Sequence, residues 1–518
     1  MFANKISLAI KLFLFLLCLQ VRAQKINPLP RNAPEQEGVS TAGIINFINA
    51  AGKSKTEFHS FMFLRHGKVI TECWWSPYNA NLKHTLYSTS KSFTAAAIGF
   101  ASAEKRLSLD DKVISFFPDD TPNLVSPNLR ELTVRDVLMM SDGQDPDPTG
   151  TLVKDSNWVK AFLELPIVNK PGTKFLYNSM GTYILSAIAQ KVTGQKVVDY
   201  LGPRLFEPLG IMGMDWEISP QNINTGGWGL RLKTEDMAKF GQLYLQKGNL
   251  NGRQILPKEW VEEATSAKIM QDPNAPQAKK DSSDWLQGYC YQMWRCRHNG
   301  FRADGAFGQF IIMMPDEDAV IAITAETPDM QEEINLVWKY LLPSMHDAPL
   351  PADKNQETKL HRKLSSLALL PPAKAPVPAS WAGINGKTFS MEPNEKKMQQ
   401  ISFDWKDKVC QVTIKGDTAV YKLYFGDGKW KMSETTRPGP SLLTGARANL
   451  VGLPAFKTAG SYDWKDDHSL ELVLRYIESP HTEKMVCHID GKKIRVEVQN
   501  SFDYGNKKTE LKGSLLSK

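Results

Sequence analysis

Two strand pairs far apart in the chain constrain its fold most. Residues 61–64 and 69–71 flank the turn Arg65-His66-Gly67-Lys68, and residues 308–314 and 319–325 flank Pro315-Asp316-Glu317-Asp318, both turns built from residues that favour tight reversals. The text between them is helical in pattern. An alanine-rich run covers 90 to about 105. Residues 134–140 follow with Thr133 as cap and Gly143 as stop, then 180–192 closed by Gly194, 236–246 and 259–269. A last helix is expected at 330–342. This order predicts an α+β fold, an α/β sandwich in which an antiparallel sheet is flanked by helices and carries a helical subdomain, rather than a doubly wound parallel sheet.

At 518 residues the chain exceeds what one hydrophobic core usually organises. Composition shifts after His346, and residues 370–378 hold four prolines in nine, a stiff extended connector. Beyond Trp381, short strand candidates at 401–405, 409–415, 419–425, 429–433, 469–476, 484–489 and 492–498 are broken by glycine turns. They predict a smaller all-β domain, a sandwich or small barrel. The expected organisation is a signal peptide at 1–23, a main domain at 24–346, a proline-rich linker at 347–380 and a β-rich accessory domain at 381–518. Protease is expected to cut between Leu370 and Ser380 and release the β-rich part.

The leader pairs basic Lys5 and Lys11 with an apolar run at 12–19 and the small-residue site Val21-Arg22-Ala23 before Gln24. Its apolar run is far short of the roughly 20 residues that span a bilayer. Export to the periplasm or the cell exterior is expected, with no stable membrane span. Net charge is +7, and Lys5, Lys11 and Arg22 contribute three of those charges, leaving +4 on the rest. That is not a nucleic-acid footprint. The cysteines outside the leader are Cys73, Cys290, Cys296, Cys410 and Cys487, with no paired spacing that suggests zinc; if a disulfide forms, Cys410 with Cys487 is the first candidate. His59, His66 and His84 show no HExxH spacing and are assigned structural roles.

The chemistry-bearing text begins at Tyr87-Ser88-Thr89-Ser90-Lys91. Ser88 at a helix start places Lys91 one turn away on the same face. A serine hydroxyl needs a base to take its proton, and burial lowers a lysine's pKa enough to assist. The apolar text at 93–100 implies a buried helix, where an unpaired lysine is expensive. Tyr177, in the loop entering the helix at Met180, is placed to relay a proton to a leaving group, as a phenolate if the lysine cation lies near. Third comes Arg302-Ala303-Asp304-Gly305-Ala306-Phe307-Gly308, where glycine at a strand edge lets a substrate approach and edge amides serve as oxyanion donors. Trp285 and Trp294 flank Tyr289 nearby and are placed to wall a pocket, the alternative being core. No GxSxG elbow occurs, against an α/β-hydrolase.

Together and in this order, these stretches resemble the serine β-lactamase and penicillin-binding-protein superfamily, in particular its class C-like esterase and D-aminopeptidase branch. The resemblance runs from Pro34 to Leu342 and includes residues 132–138 with Ser141 and Gly143, and Gly226-Gly227-Trp228-Gly229-Leu230. It implies that Ser88 is acylated, that Tyr177 is its partner, and that the backbone amides of Ser88 and Ala306 bind the oxyanion. There are two departures. Ser179 stands where the family most often has asparagine, and Ala303-Asp304-Gly305 stands where Lys-Thr-Gly or His-x-Gly would be. Without that cation, and with Asp304 repelling if it faces the pocket, substrates neutral or positive near the reacting carbonyl are expected; Arg302 points to the other strand face from Ala303.

The expected activity is that of a secreted serine hydrolase cleaving an ester or amide bond in a small molecule or peptide through an acyl-enzyme on Ser88, with no metal and no cofactor. The site expected is Ser88, Lys91 and Tyr177 with Ser179, Asp304, Gly305 and Ala306. The alternative is a silent module of the same fold that binds cell-wall peptides or β-lactams.

Overall fold

The computed structural model describes residues 28–372 and 383–516, so the leader at 1–23 and most of the proline-rich stretch lie outside the described residues. Both expected hairpins form and join one antiparallel sheet. Its strands are β1 (Glu57–Arg65), β2 (Lys68–Trp74), β3 (Trp294–Arg295), β4 (Phe301–Gly305), β5 (Gln309–Met314) and β6 (Ala319–Glu326), in the order β2-β1-β6-β5-β4-β3. β1 and β6, some 250 residues apart in sequence, run side by side from Glu57↔Glu326 to Arg65↔Ala319.

Strand alternation divides the core. Phe61, Phe63, Ile312 and Ile321 face one side, where α1 (Thr41–Ala51) packs through Ile44, Phe47 and Ile48. Met62, Leu64, Ile311 and Val320 face the other, covered by α2 (Ser90–Ala103), α3 (Ser179–Thr193) and α4 (Thr234–Leu245). The expected sandwich of helices on both faces of an antiparallel sheet is therefore present. α4 lies hard against the sheet at Gly241, where a Cβ would come within 2.6 Å of Val320 and 2.7 Å of Ile311. α5 (Met330–Leu336) is shorter than expected and passes into a π-turn at Val337–Leu341.

The linker expectation at 347–380 needs revision for its first half. Lys354–Ser365 forms α6, capped by Asp353 Oδ1, which accepts from Asn355 N and Gln356 N at 3.0 Å. Its single buried side chain, Leu360, docks into the α1 side of the core, which is why a largely polar helix looks like connector text. Leu369 N then donates to Ser76 O at 2.7 Å, tying the chain to the main domain up to the prolines.

The C-terminal part is a barrel. β7 (Lys387–Met391), β8 (Gln400–Lys406), β9 (Val409–Lys415), β10 (Val420–Asp427), β11 (Lys431–Thr435), β12 (Phe456–Asp466), β13 (Ser469–Tyr476), β14 (Thr482–Asp490), β15 (Lys493–Asn500) and β16 (Thr509–Leu515) pair in the order β10-β9-β8-β7-β16-β15-β14-β13-β12-β11. A short parallel pairing of β10 with β12, at Gly426↔Ser461 and Asp427↔Tyr462, closes the ring. β9 and β14 bury alternate residues, so Ile401, Val412, Leu472 and Met485 fill the interior. Cys410 and Cys487 both lie in that interior as free thiols, not the disulfide considered first; all five cysteines of the described residues are free. β7, β12 and β16 escaped the sequence reading.

The barrel is not hung from a tether. The loop between β11 and β12 inserts into the main domain: Arg447 N donates to Val153 O at 2.8 Å, Ile218 N to Val451 O at 2.9 Å, and Ala448 joins the main core. The β13–β14 hairpin inserts beside the Ser88 turn, where Thr85 N donates to Glu478 O and Tyr78 Oη to Ser479 O, each at 2.9 Å. Among the described residues no helix is long and apolar enough to cross a membrane.

Candidate active site

Ser88 lies in a tight 3₁₀ turn, Tyr87–Thr89, that feeds directly into α2. The turn is clamped from three sides. Thr89 Oγ1 donates to Gln309 O at 2.9 Å, Leu86 N to Leu230 O at 2.9 Å, and Leu230 N to Ser90 Oγ at 3.1 Å. Tyr87 adopts φ 46°, an unfavourable region for a non-glycine residue, and its phenol is held by His481 from the barrel, which in turn contacts Glu326 Oε1 at 2.7 Å. Gly305 ends β4 against this turn, where a Cβ would sit 2.1 Å from Leu86 O. Only a residue without a side chain lets the strand edge come this close, and the approach brings Ala306 to the cleft beside Ser88.

Lys91 is buried, and its Nζ lies 2.7 Å from Gly227 O, 2.9 Å from Ser179 Oγ and 3.4 Å from Ser88 Oγ. Burial pulls its pKa down to about 7, against the opposing pull of Asp147 and Asp304. A neutral amine has two hydrogens and one lone pair. Gly227 O must accept one hydrogen and Ser179 Oγ can take the other, so the lone pair is left for the Ser88 hydroxyl. Ser179, the first departure from the family pattern, thereby fixes the direction in which the amine faces.

Tyr177 brings the opposite property. Burial, and secondarily the Asp304 charge, raise its pKa well above that of a free phenol, although the hydrogen bond with Ser88 opposes this. The expectation of a phenolate is thus overturned: the lysine meant to stabilise it loses its charge as pH rises through about 7 and sits over the ring face, 5.0 Å from the centroid. Tyr177 is thus held as a neutral phenol, chemically suited to give up a proton, whereas the lysine is suited to take one. Its ring stacks on Trp294 at 5.5 Å and meets Tyr289 edge-on at 6.2 Å, so the tryptophans and Tyr289 back the phenol rather than wall the cleft. Asn178 caps α3, with Oδ1 accepting from Met180 N at 2.9 Å and Nδ2 donating to Asp142 and Gln144.

The third motif divides differently from expectation. Ala303 is 1% exposed and joins the main core, so it does not line the cleft. Arg302 is fully buried, ion-paired to Asp304 at 2.9 Å and stacked on Trp285 at 4.3 Å, which excludes it as an anchor for a substrate carboxylate. Asp304 is buried with it and does not line the cleft, but its charge is felt by Lys91 and Tyr177. Burial raises its own pKa, with Arg302 and Lys91 opposing.

A cavity of about 280 Å³ opens at Ser88, Ser179 and Ala306. Its floor is Gly227 and Trp228, and its acidic side chains are Asp147 and Glu217. Sequence reasoning gave Gly227 no role beyond its place in the 226–230 block, and passed over Glu217 and the barrel's contribution because neither belongs to a local motif. None of the described residues lining the cavity is Lys, Arg or His. No group of His, Cys, Asp and Glu suited to a metal ion occurs among the described residues.

This arrangement suits attack by Ser88 on a carbonyl with Lys91 as base. Lys91 is charged below its pKa and neutral above it, so kcat/KM for an uncharged substrate should climb as pH rises through about 7. A stopped-assay pH series on an uncharged ester measures this, and a flat profile across that range would remove Lys91 as the base.

The family model described as Beta-lactamase matches residues 56–341. A 6-aminohexanoate-dimer hydrolase of Paenarthrobacter ureafaciens is 23% identical over 289 residues, 52% of this chain and 73% of that protein. Among solved structures, a penicillin-binding protein homologue from Caulobacter crescentus has a TM-score of 0.47 at 16% identity, covering 61% of this chain and all (100%) of the other. An octameric penicillin-binding protein homologue from Pyrococcus abyssi has a TM-score of 0.46 at 17% identity and covers 91% of this chain and 99% of its own. The family match takes in more than half of the chain, including Ser88, Lys91, Tyr177 and the 301–305 strand, and the chain belongs to the Beta-lactamase family.

Proposed function

We propose that this protein is an exported serine hydrolase that cleaves a neutral or cationic ester or amide through an acyl-enzyme on Ser88. The observation that carries the reading is the three-way contact of the buried Lys91 Nζ with Gly227 O, Ser179 Oγ and Ser88 Oγ. Ser88 Oγ attacks the carbonyl carbon while its proton passes to Lys91. The oxyanion lies toward the backbone amides of Ser88 and Ala306. As the carbon–leaving-group bond breaks, Tyr177 donates its phenolic proton to the departing oxygen or nitrogen and recovers one from Lys91. Water repeats the attack on the acyl-enzyme and releases the acid. A silent binding module has no use for a desolvated lysine beside an accessible serine, and the hydrolase named among the relatives supports turnover.

Substrate charge follows from the cleft. Asp147 and Glu217 line it, no cation does, and Arg302 is already paired. Loss of a carboxylate anchor forfeits about 1–3 kcal/mol, a factor of roughly 5 to 150. A short-chain 4-nitrophenyl ester is therefore expected to exceed benzylpenicillin in kcat/KM by about two orders of magnitude. Faster hydrolysis of benzylpenicillin would overturn this assignment of substrate charge.

A further inference from the structure

The cavity beside Ser88 is shared between the two domains. Leu442, Leu450 and Phe456 come from the barrel and its inserted loop, and Trp228 from the main domain. Together they form an apolar sleeve leading away from the serine. Within that sleeve the polar anchor is Glu217. Its side chain lines the cavity, is 4% exposed, and accepts from Leu450 N at 3.2 Å and from the Trp228 side chain, both neutral donors. Arg231, the cation whose charge Glu217 feels, is committed elsewhere, to Asp215 at 2.6 Å and Glu478 at 3.4 Å.

The geometry points to a site for a primary ammonium on the substrate's acyl group, held by Glu217, with the inserted barrel loop walling the apolar stem between that ammonium and the reacting carbonyl. This rests on the acyl-enzyme reading above and specifies its substrate. A carboxylate in an enclosed, largely apolar cavity loses water that neutral hydrogen bonds replace only in part, and a cationic ligand supplies the missing counter-charge. The same burial pushes the Glu217 carboxyl up to about 7, with Leu450 N, Trp228 and Arg231 opposing it and Asp215 adding to it. Asp147 adds a second negative charge to the cavity lining. The chain as a whole is net positive, so its overall field works against a cation, and any preference for one must come from this cavity.

Two alkyl fluorophosphonates of equal length, one ending in methyl and one in a primary ammonium, test this on the full-length protein. Labelling of Ser88 is followed by intact mass at pH 8, where Glu217 is ionised. The ammonium probe is expected to label at least ten times faster, and in Glu217→Gln the ratio should fall toward one. Equal rates in the wild type, or a ratio unmoved by Glu217→Gln, overturn the ammonium site and leave the hydrolase reading standing. Failure of both probes to label Ser88 overturns the hydrolase reading, and the ammonium site with it.

Discussion

Ser88→Ala is expected to lower kcat/KM for any true substrate by about 1,000-fold or more while the protein stays folded. The hydroxyl's contacts are with the side chains of Lys91, long at 3.4 Å, and Tyr177, so the fold loses little with it. Comparable alanine replacements at helix starts cost at most about 1–2 kcal/mol. Lys91→Ala and Tyr177→Phe should each approach the same loss, by different routes: one removes the lone pair facing Ser88, the other the phenolic proton. Because the three groups act on one proton-transfer path, the triple variant should be scarcely worse than the worst single one. Circular dichroism and a fluorophosphonate label that marks the wild type and spares Ser88→Ala complete the measurement. A Ser88→Ala protein that keeps most of its activity sinks the acyl-enzyme.

Removal of the barrel is expected to be nearly as damaging, which its position at the end of the chain would not suggest. A protein ending before residue 383 loses Ala448 from the main core, the acceptor Glu478 O for Thr85 N, the acceptor Val451 O for Ile218 N, and the His481 partner of Tyr87. Each buried polar group left unpaired costs about 1–3 kcal/mol, and two of these groups sit within three residues of Ser88. We expect a melting temperature at least about 10 °C lower and activity reduced about 100-fold or more. Cleavage between Leu370 and Ser380 in the intact protein should, by contrast, leave both fragments together on size exclusion, since the inserted loop and hairpin hold them. Separation of a free, folded barrel with retained activity in the remainder would restore the accessory-domain picture.

The reach of local pattern is plain at particular residues. The hairpin at Arg65–Lys68, the cap at Thr133 and the αL stop at Gly194 are all written in a few adjacent side chains, and each was legible for that reason. β9 matches its expected bounds because its strict alternation of buried and partly exposed residues reports a barrel wall directly, and β13 matches as a short apolar run although it is buried on both faces. α6 was missed because one buried leucine leaves no periodic stripe to detect. The Ser88–Lys91 pair was legible because a helix sets i and i+3 side by side whatever else the chain does.

What the sequence determined by itself, then, is the α+β class, the order of the main-domain elements and the Ser88–Lys91 pair, which depend on short-range periodicity and spacing, while Tyr177 was picked out by the resemblance to the family. Tertiary structure alone decided the protonation states and the walls of the cleft. Lys91 titrates near neutrality and Tyr177 stays a phenol because burial among residues distant in sequence strips both of water, and no local text records that desolvation. Arg302 and Asp304 cancel each other because a buried strand face offers both the same low-dielectric space. Glu217 and Phe456 share one cavity because a loop more than 200 residues downstream folds back into the main core, a long-range closure that apolar burial makes favourable and that no spacing rule encodes.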